Sequence, residues 1–113
     1  MTPAAPGARE LLAQRLRDLM ASYQVREVRM FGGLSFMVDE RMAVAAGRDG
    51  DLLVRCRPAE YDELIRRGGV PAMMGDDRPM GPGWITVPGQ RISGDTELAY
   101  WIAVGIDSRN ASD

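Results

Sequence analysis

Cys56 stands between Arg55 and Arg57, where two guanidinium charges would lower a thiol's pKa and favour the nucleophilic thiolate. The alternation of apolar residues through the same stretch turns Cys56 inward and its neighbours outward, which favours a buried, inert cysteine. Met73, Met74 and Met80 together with Cys56 are soft sulfur donors of the kind that hold cuprous copper. Their spacing matches no established ligand pattern, and methionine is a common gap filler in cores. Asp76-Asp77 beside Asp49 or Asp51 offers hard oxygens to a cation, but such loops need about six or more in a set geometry, so a solvated acidic turn is expected. Gly32-Gly33 could open backbone N–H groups to a phosphate, yet a helix should follow such a loop and a strand pattern follows here. Turn geometry with positive φ is the expected use of these glycines. Arg29 and Arg78 remain as cations for a partner, an acidic loop or an internal ion pair.

Composition narrows the chemistry further. One cysteine and no histidine fit a reduced cytoplasm without disulfides and remove the commonest general base and metal ligand. No paired carboxylates fall at helical spacing inside an expected cleft, so no catalytic residue, cofactor or metal is assigned. The 14 basic residues are all arginine and face 16 acidic ones, nine and seven through Arg57, five and nine after it. Nucleic-acid domains concentrate basic charge on one face, so no nucleic-acid partner is expected from this near balance. The all-arginine complement suits bidentate anion recognition but is also what a GC-rich coding bias produces. Met1 to Gly7 lacks the basic start and apolar core of a signal peptide, and no segment approaches the roughly 20 apolar residues of a membrane span. A cytoplasmic protein without membrane contact is expected.

These candidates must be positioned by a small set of elements. Leu12, Leu16, Leu19, Met20 and Tyr23 recur at spacings of three and four, with Leu11 on the flank, predicting a helix over about 8–23 with one buried stripe. Alternating segments follow, joined at Gly32-Gly33, at Asp39-Glu40 and at Gly47-Arg48-Asp49-Gly50, which reads as an antiparallel sheet. The alternation assigns Val28, Met30, Leu34, Phe36, Val38, Met42, Val44, Ala46, Leu52, Val54 and Cys56 to the face beneath the helices. Pro58 opens a short helix with Tyr61, Leu64 and Ile65 inward, and Gly68-Gly69 ends it. Residues 70–83 are rich in Gly, Pro and Asp around three methionines, so a loop or poorly paired edge is expected. Trp84 to Val87 gives another strand. A last helix over about 95–108 is capped by Asp95, and Leu98, Trp101, Ile102 and Gly105 form its inner face, the glycine permitting close approach to the sheet.

Met30-Phe31-Gly32-Gly33-Leu34, with Phe36 and then Arg41-Met42, resembles the N-terminal domain of the TfoX/Sxy family of competence regulators. Asp51-Leu52-Leu53-Val54-Arg55, Arg78-Pro79-Met80, Trp84-Ile85-Thr86-Val87-Pro88 and a closing helix with Trp101 fall in the same order, so the resemblance covers most of the chain. It implies a two-layer α/β fold similar to secretion-chaperone domains and regulation through protein contacts, and it does not imply catalysis. Longer members carry a second, helical domain for which 113 residues leave no room, so a stand-alone domain over 1–113 is expected, with 1–7 disordered and 109–113 a frayed tail.

The expectation is therefore an α+β domain with a mostly antiparallel sheet, in helix-strands-helix-strands-helix order, with helices on one face. The face turned away from them is assigned Arg29, Phe31, Ser35, Met37, Ala43, Ala45, Leu53 and Arg55, more apolar than a solvated face normally reads. Arg29, Phe31, Met37, Leu53 and Arg55 form the expected interaction surface of a regulatory or adaptor domain, bound to protein or to a second copy as a homo-oligomer. The alternative is a small-ligand sensor with residues 70–83 as a lid over apolar side chains.

Overall fold

The computed structural model describes residues 7–30, 33–74 and 78–108. Helix α1 (Ala8–Leu19) begins after Gly7, whose carbonyl accepts from Leu11 N at 3.0 Å. The rest of the expected fraying at the two termini lies outside the described residues. Leu12, Ala13 and Leu16 are buried along one stripe, continued by Met20 just past the last turn. The helix stops four residues before Tyr23, and Tyr23 and Leu11 are both exposed.

Four strands follow as a meander: β1 (Val25–Met30), β2 (Gly33–Val38), β3 (Arg41–Ala46) and β4 (Leu52–Arg55), each antiparallel to the last. Asp39 and Glu40 join β2 to β3 with φ of 53° and 66°, the double left-handed geometry of a turn whose twist matches the strands. Gly50 supplies a φ of 86° between β3 and β4, where Gly47 N donates to Asp51 O at 2.8 Å. The chain then leaves the sheet through a 3₁₀ turn at Pro58–Glu60 and helix α2 (Tyr61–Arg66), which ends at Gly68 with φ of 122°. It returns in β5 (Val70–Pro71) and β6 (Trp84–Val87), crosses a second 3₁₀ turn at Gly89–Ile92 and closes with α3 (Asp95–Ser108). Asp95 is the first helical residue rather than the cap before it, and its carboxylate accepts from Arg15 at 3.0 Å.

The strands form one six-stranded antiparallel sheet in the order β1-β2-β3-β4-β6-β5. Helix α1 lies on β2 and β3, α3 on β3 and β4, and α2 on β6. Leu16, Phe36, Val44, Val54, Ile85, Leu98 and Trp101, each 1% exposed or less, make one core between the layers. This is the expected two-layer α+β architecture. At Gly105 the layers nearly touch, for a Cβ there would stand 2.3 Å from the Ala43 carbonyl oxygen and 3.0 Å from Val44 Cγ1. Gly33 also serves closeness, since a Cβ on it would meet the Ala46 carbonyl oxygen at 2.8 Å and its φ is not positive.

Two breaks in the alternation change which residues share a face. Residues directly opposite on neighbouring strands point to the same side of a sheet. Val25, Glu27 and Arg29 lie opposite Val38, Phe36 and Leu34, so they face the helices, and Val28 and Met30 face away, the reverse of the sequence assignment. The Arg17 guanidinium on α1 confirms this by holding Glu27 through two hydrogen bonds of 2.8 Å. Those bonds keep the Glu27 carboxyl below its ordinary pKa. On β3 the register steps from Phe36↔Val44 to Met37↔Met42, which makes Ala43 an extra, bulged residue. Met42 therefore joins Met37 on the helix-free face, and Ala43, 1% exposed, presents its carbonyl beneath Gly105.

Candidate interaction surface

One row crosses the helix-free face through every strand: Val28, Ser35, Ala45, Leu53, Thr86 and Val70 are successive register partners. Met37 and Met42, and further across the sheet Arg55 with Trp84, all stand beside it on the same side. Ser35 and Ala45 are sunk to 2% and 6% exposure, small residues between larger ones, and Val70 is open to solvent. The Arg55 guanidinium lies 5.6 Å from the centre of the Trp84 ring, which sets its charge on an aromatic face.

Beyond β5, residues 72–74 and 78–80 pair as the two arms of a small hairpin, the poorly paired edge expected of this stretch. Met80 N donates to Ala72 O at 2.8 Å, Met73 and Pro79 form a bridge, and Met74 N donates to Arg78 O at 2.6 Å. This hairpin walls one side of a cavity of about 540 Å³ lined by Met73, Met74, Met80, Leu53, Thr86, Gly47 and Asp51. Met73 and Met74 are exposed at its mouth. Asp51 sits two residues before Leu53 and so on the same face, and its Oδ1 accepts from Gly89 N at 2.9 Å.

Of the expected surface residues, Met37, Leu53 and Arg55 share the helix-free face, whereas Arg29 faces the helix layer and Phe31 lies outside the described residues. Of the motif residues, Met30 is half-buried at the edge of the helix-free face and Gly33 starts β2. Gly32 lies outside the described residues. Arg78 and Pro79 are exposed on the hairpin, Met80 lines the cavity, and Trp101 is buried on the other side of the sheet. Among the described residues neither Arg29 nor Arg78 forms an ion pair. Thr86, Asp51, Met42 and Gly47 were not assigned to the helix-free face from sequence. Thr86 was legible in principle, two residues after Trp84 in a short alternation, but the partner of β6 was not.

The other chemical candidates dissolve. Cys56 is 3% exposed and its Sγ donates to the Pro82 carbonyl at 3.4 Å. Burial, helped by the negative charge of Glu60, pushes its pKa up to about 11, which leaves a neutral, unreactive thiol at physiological pH. The three methionines line the cavity without Cys56, so the four-sulfur set is not assembled. Asp76 and Asp77 lie outside the described residues. Among the described residues no cluster of three or more His, Cys, Asp or Glu side chains could hold a metal ion, and no helix is long and apolar enough to cross a membrane.

No curated protein and no solved structure gives a significant match to this chain. The family model of the TfoX N-terminal domain matches residues 17–108, which take in everything from the last three residues of α1 to the end of α3. The chain belongs to the TfoX N-terminal domain family.

Proposed function

We propose that this chain is a non-catalytic, cytoplasmic regulatory or adaptor domain that works through protein contacts, as its resemblance to competence regulators implies. The observation that carries the reading is the helix-free face, where Met37, Met42, Ala45 and Leu53 lie together on a surface no helix covers. Such an apolar patch with a charged rim at Arg55 suits a protein interface better than open solvent. The occupant proposed is a second copy, since a two-fold axis would set the same patch against itself. Near-balanced charge argues for protein rather than nucleic acid. Met37→Glu with Leu53→Glu should convert a dimer into a folded monomer in analytical ultracentrifugation. A wild type that already sediments as a monomer refutes the homodimer.

A second reading is favoured by the cavity. Its volume of about 540 Å³ falls within the range of small-molecule sites, and its walls are mostly apolar with a few polar groups among them. On this reading the chain is a small-ligand sensor, with Met73, Met74 and Met80 as one wall of the site.

A further inference from the structure

The sensor reading leaves the chemistry of the ligand open, and the cavity wall constrains it. Resting on that reading, we infer that the cavity takes a small amine: an apolar, preferably aromatic body with a cationic, hydrogen-bond-donating head. The body is set by Leu53, Met73, Met74 and Met80, whose thioethers adapt to irregular apolar shapes and favour contact with aromatic rings. The head is set by the polar atoms. A carboxylate only accepts hydrogen bonds, thioethers accept weakly, and the Thr86 hydroxyl both donates and accepts.

Two backbone donors beside Asp51 are already used. Gly47 N is bonded to Asp51 O at 2.8 Å and Gly89 N to Asp51 Oδ1 at 2.9 Å. Asp51 is the one charged residue among the described lining residues, and no arginine joins it there. The Arg55 guanidinium, next on the same face, is drawn over Trp84 instead. A carboxylate ligand would meet Asp51 with like charge and a single hydroxyl donor. An ammonium would meet an acceptor held in place by Gly89, and charge-assisted hydrogen bonds are the strong ones.

The test uses three probes with one body: 4-phenylbutylamine, 4-phenylbutan-1-ol and 4-phenylbutyrate, titrated at pH 7.5 into the whole chain carrying methyl-labelled methionine. The amine should shift the methyl resonances of Met73, Met74 and Met80, and bind more tightly than the alcohol, with the acid weakest. Asp51→Asn keeps an oxygen for Gly89 N and removes the charge. It should weaken the amine by roughly tenfold or more, the effect of losing a charge-assisted bond, and leave the alcohol within about twofold. Leu53→Trp, which fills the cavity, should abolish all three. Acid binding as tight as amine binding, or amine binding indifferent to Asp51→Asn, overturns the inference while the sensor reading stands. If no probe moves these methyl groups at millimolar concentration, both the inference and the sensor reading fall.

Discussion

Gly105→Ala puts the packing of the two layers to a direct measurement. In an ordinary helix interior this change stabilises by about 0.8–1 kcal/mol, because glycine is the poorer helix former. Here the new methyl would stand 2.3 Å from the Ala43 carbonyl oxygen, 2.9 Å from its carbon and 3.0 Å from Val44 Cγ1. The first obstacle is backbone, in a bulged strand whose register is fixed on both sides, so it cannot rotate away as a side chain could. Relief requires α3 to lift from β3 by about 1 Å, loosening Trp101 and Leu98 with it, and overpacking of this kind costs about 1–3 kcal/mol. With the propensity gain deducted, the net loss expected is about 1 kcal/mol. Urea denaturation read by circular dichroism would show it as a lower midpoint at unchanged slope. A variant more stable than wild type by about 1 kcal/mol would mean that propensity alone acts at Gly105, and the argument for close contact there would be refuted.

Trp101, 1% exposed in the core, should cost about 3–5 kcal/mol on replacement by alanine, and a loss below about 1 kcal/mol in the same assay would contradict its burial. For Cys56 the sign follows from a neutral thiol in the fold. Below its ordinary pKa of 9.0 the thiol is protonated in both states, and above it the unfolded chain ionises first, until the folded pKa of about 11 is passed. Stability should therefore fall between pH 9 and pH 11 by roughly 1.4 kcal/mol per pH unit, and Cys56→Ala should remove that component. Equal pH slopes for wild type and Cys56→Ala would show the thiol is not responsible. Glu40 holds a φ of 66°, so Glu40→Gly should raise stability by about 0.5 kcal/mol despite loss of its exposed pair with Arg26. A fall of about 1 kcal/mol would show that the pair outweighs the backbone strain.

Fold class was readable because the two periods are plain: Leu12 and Leu16 in α1 with Met20 just beyond it, and Leu34, Phe36 and Val38 in β2, repeat without interruption. Faces were harder. Val28 and Met30 carry the apolar side chains of β1, but β1 is an edge strand, where burial is partial on both sides and hydrophobicity does not decide orientation. Arg29 was misplaced for that reason, and Glu27 faces the helices because Arg17 reaches it there. At Ala43 the chain is a run of small and apolar residues, Met42 to Ala46, and a bulge leaves no mark in such a run. The cavity was the least legible part. Its methionines stood out, but Leu53, Thr86 and Asp51 meet them only because β6 comes to lie between β4 and β5.

That insertion of β6 also orders events in time. The first four strands pair with their sequence neighbours and can close by short turns. β4 keeps one edge open until Trp84–Val87 arrives from about 30 residues further on, a separation that slows pairing. While a ribosome is still making residues 56–83, the growing chain presents Leu52-Leu53-Val54 as a bare apolar edge with unpaired backbone groups, the kind of template that recruits other chains. Once β6 docks, the exposed edge passes to β5, two residues long and ending in a proline that cannot extend a ladder.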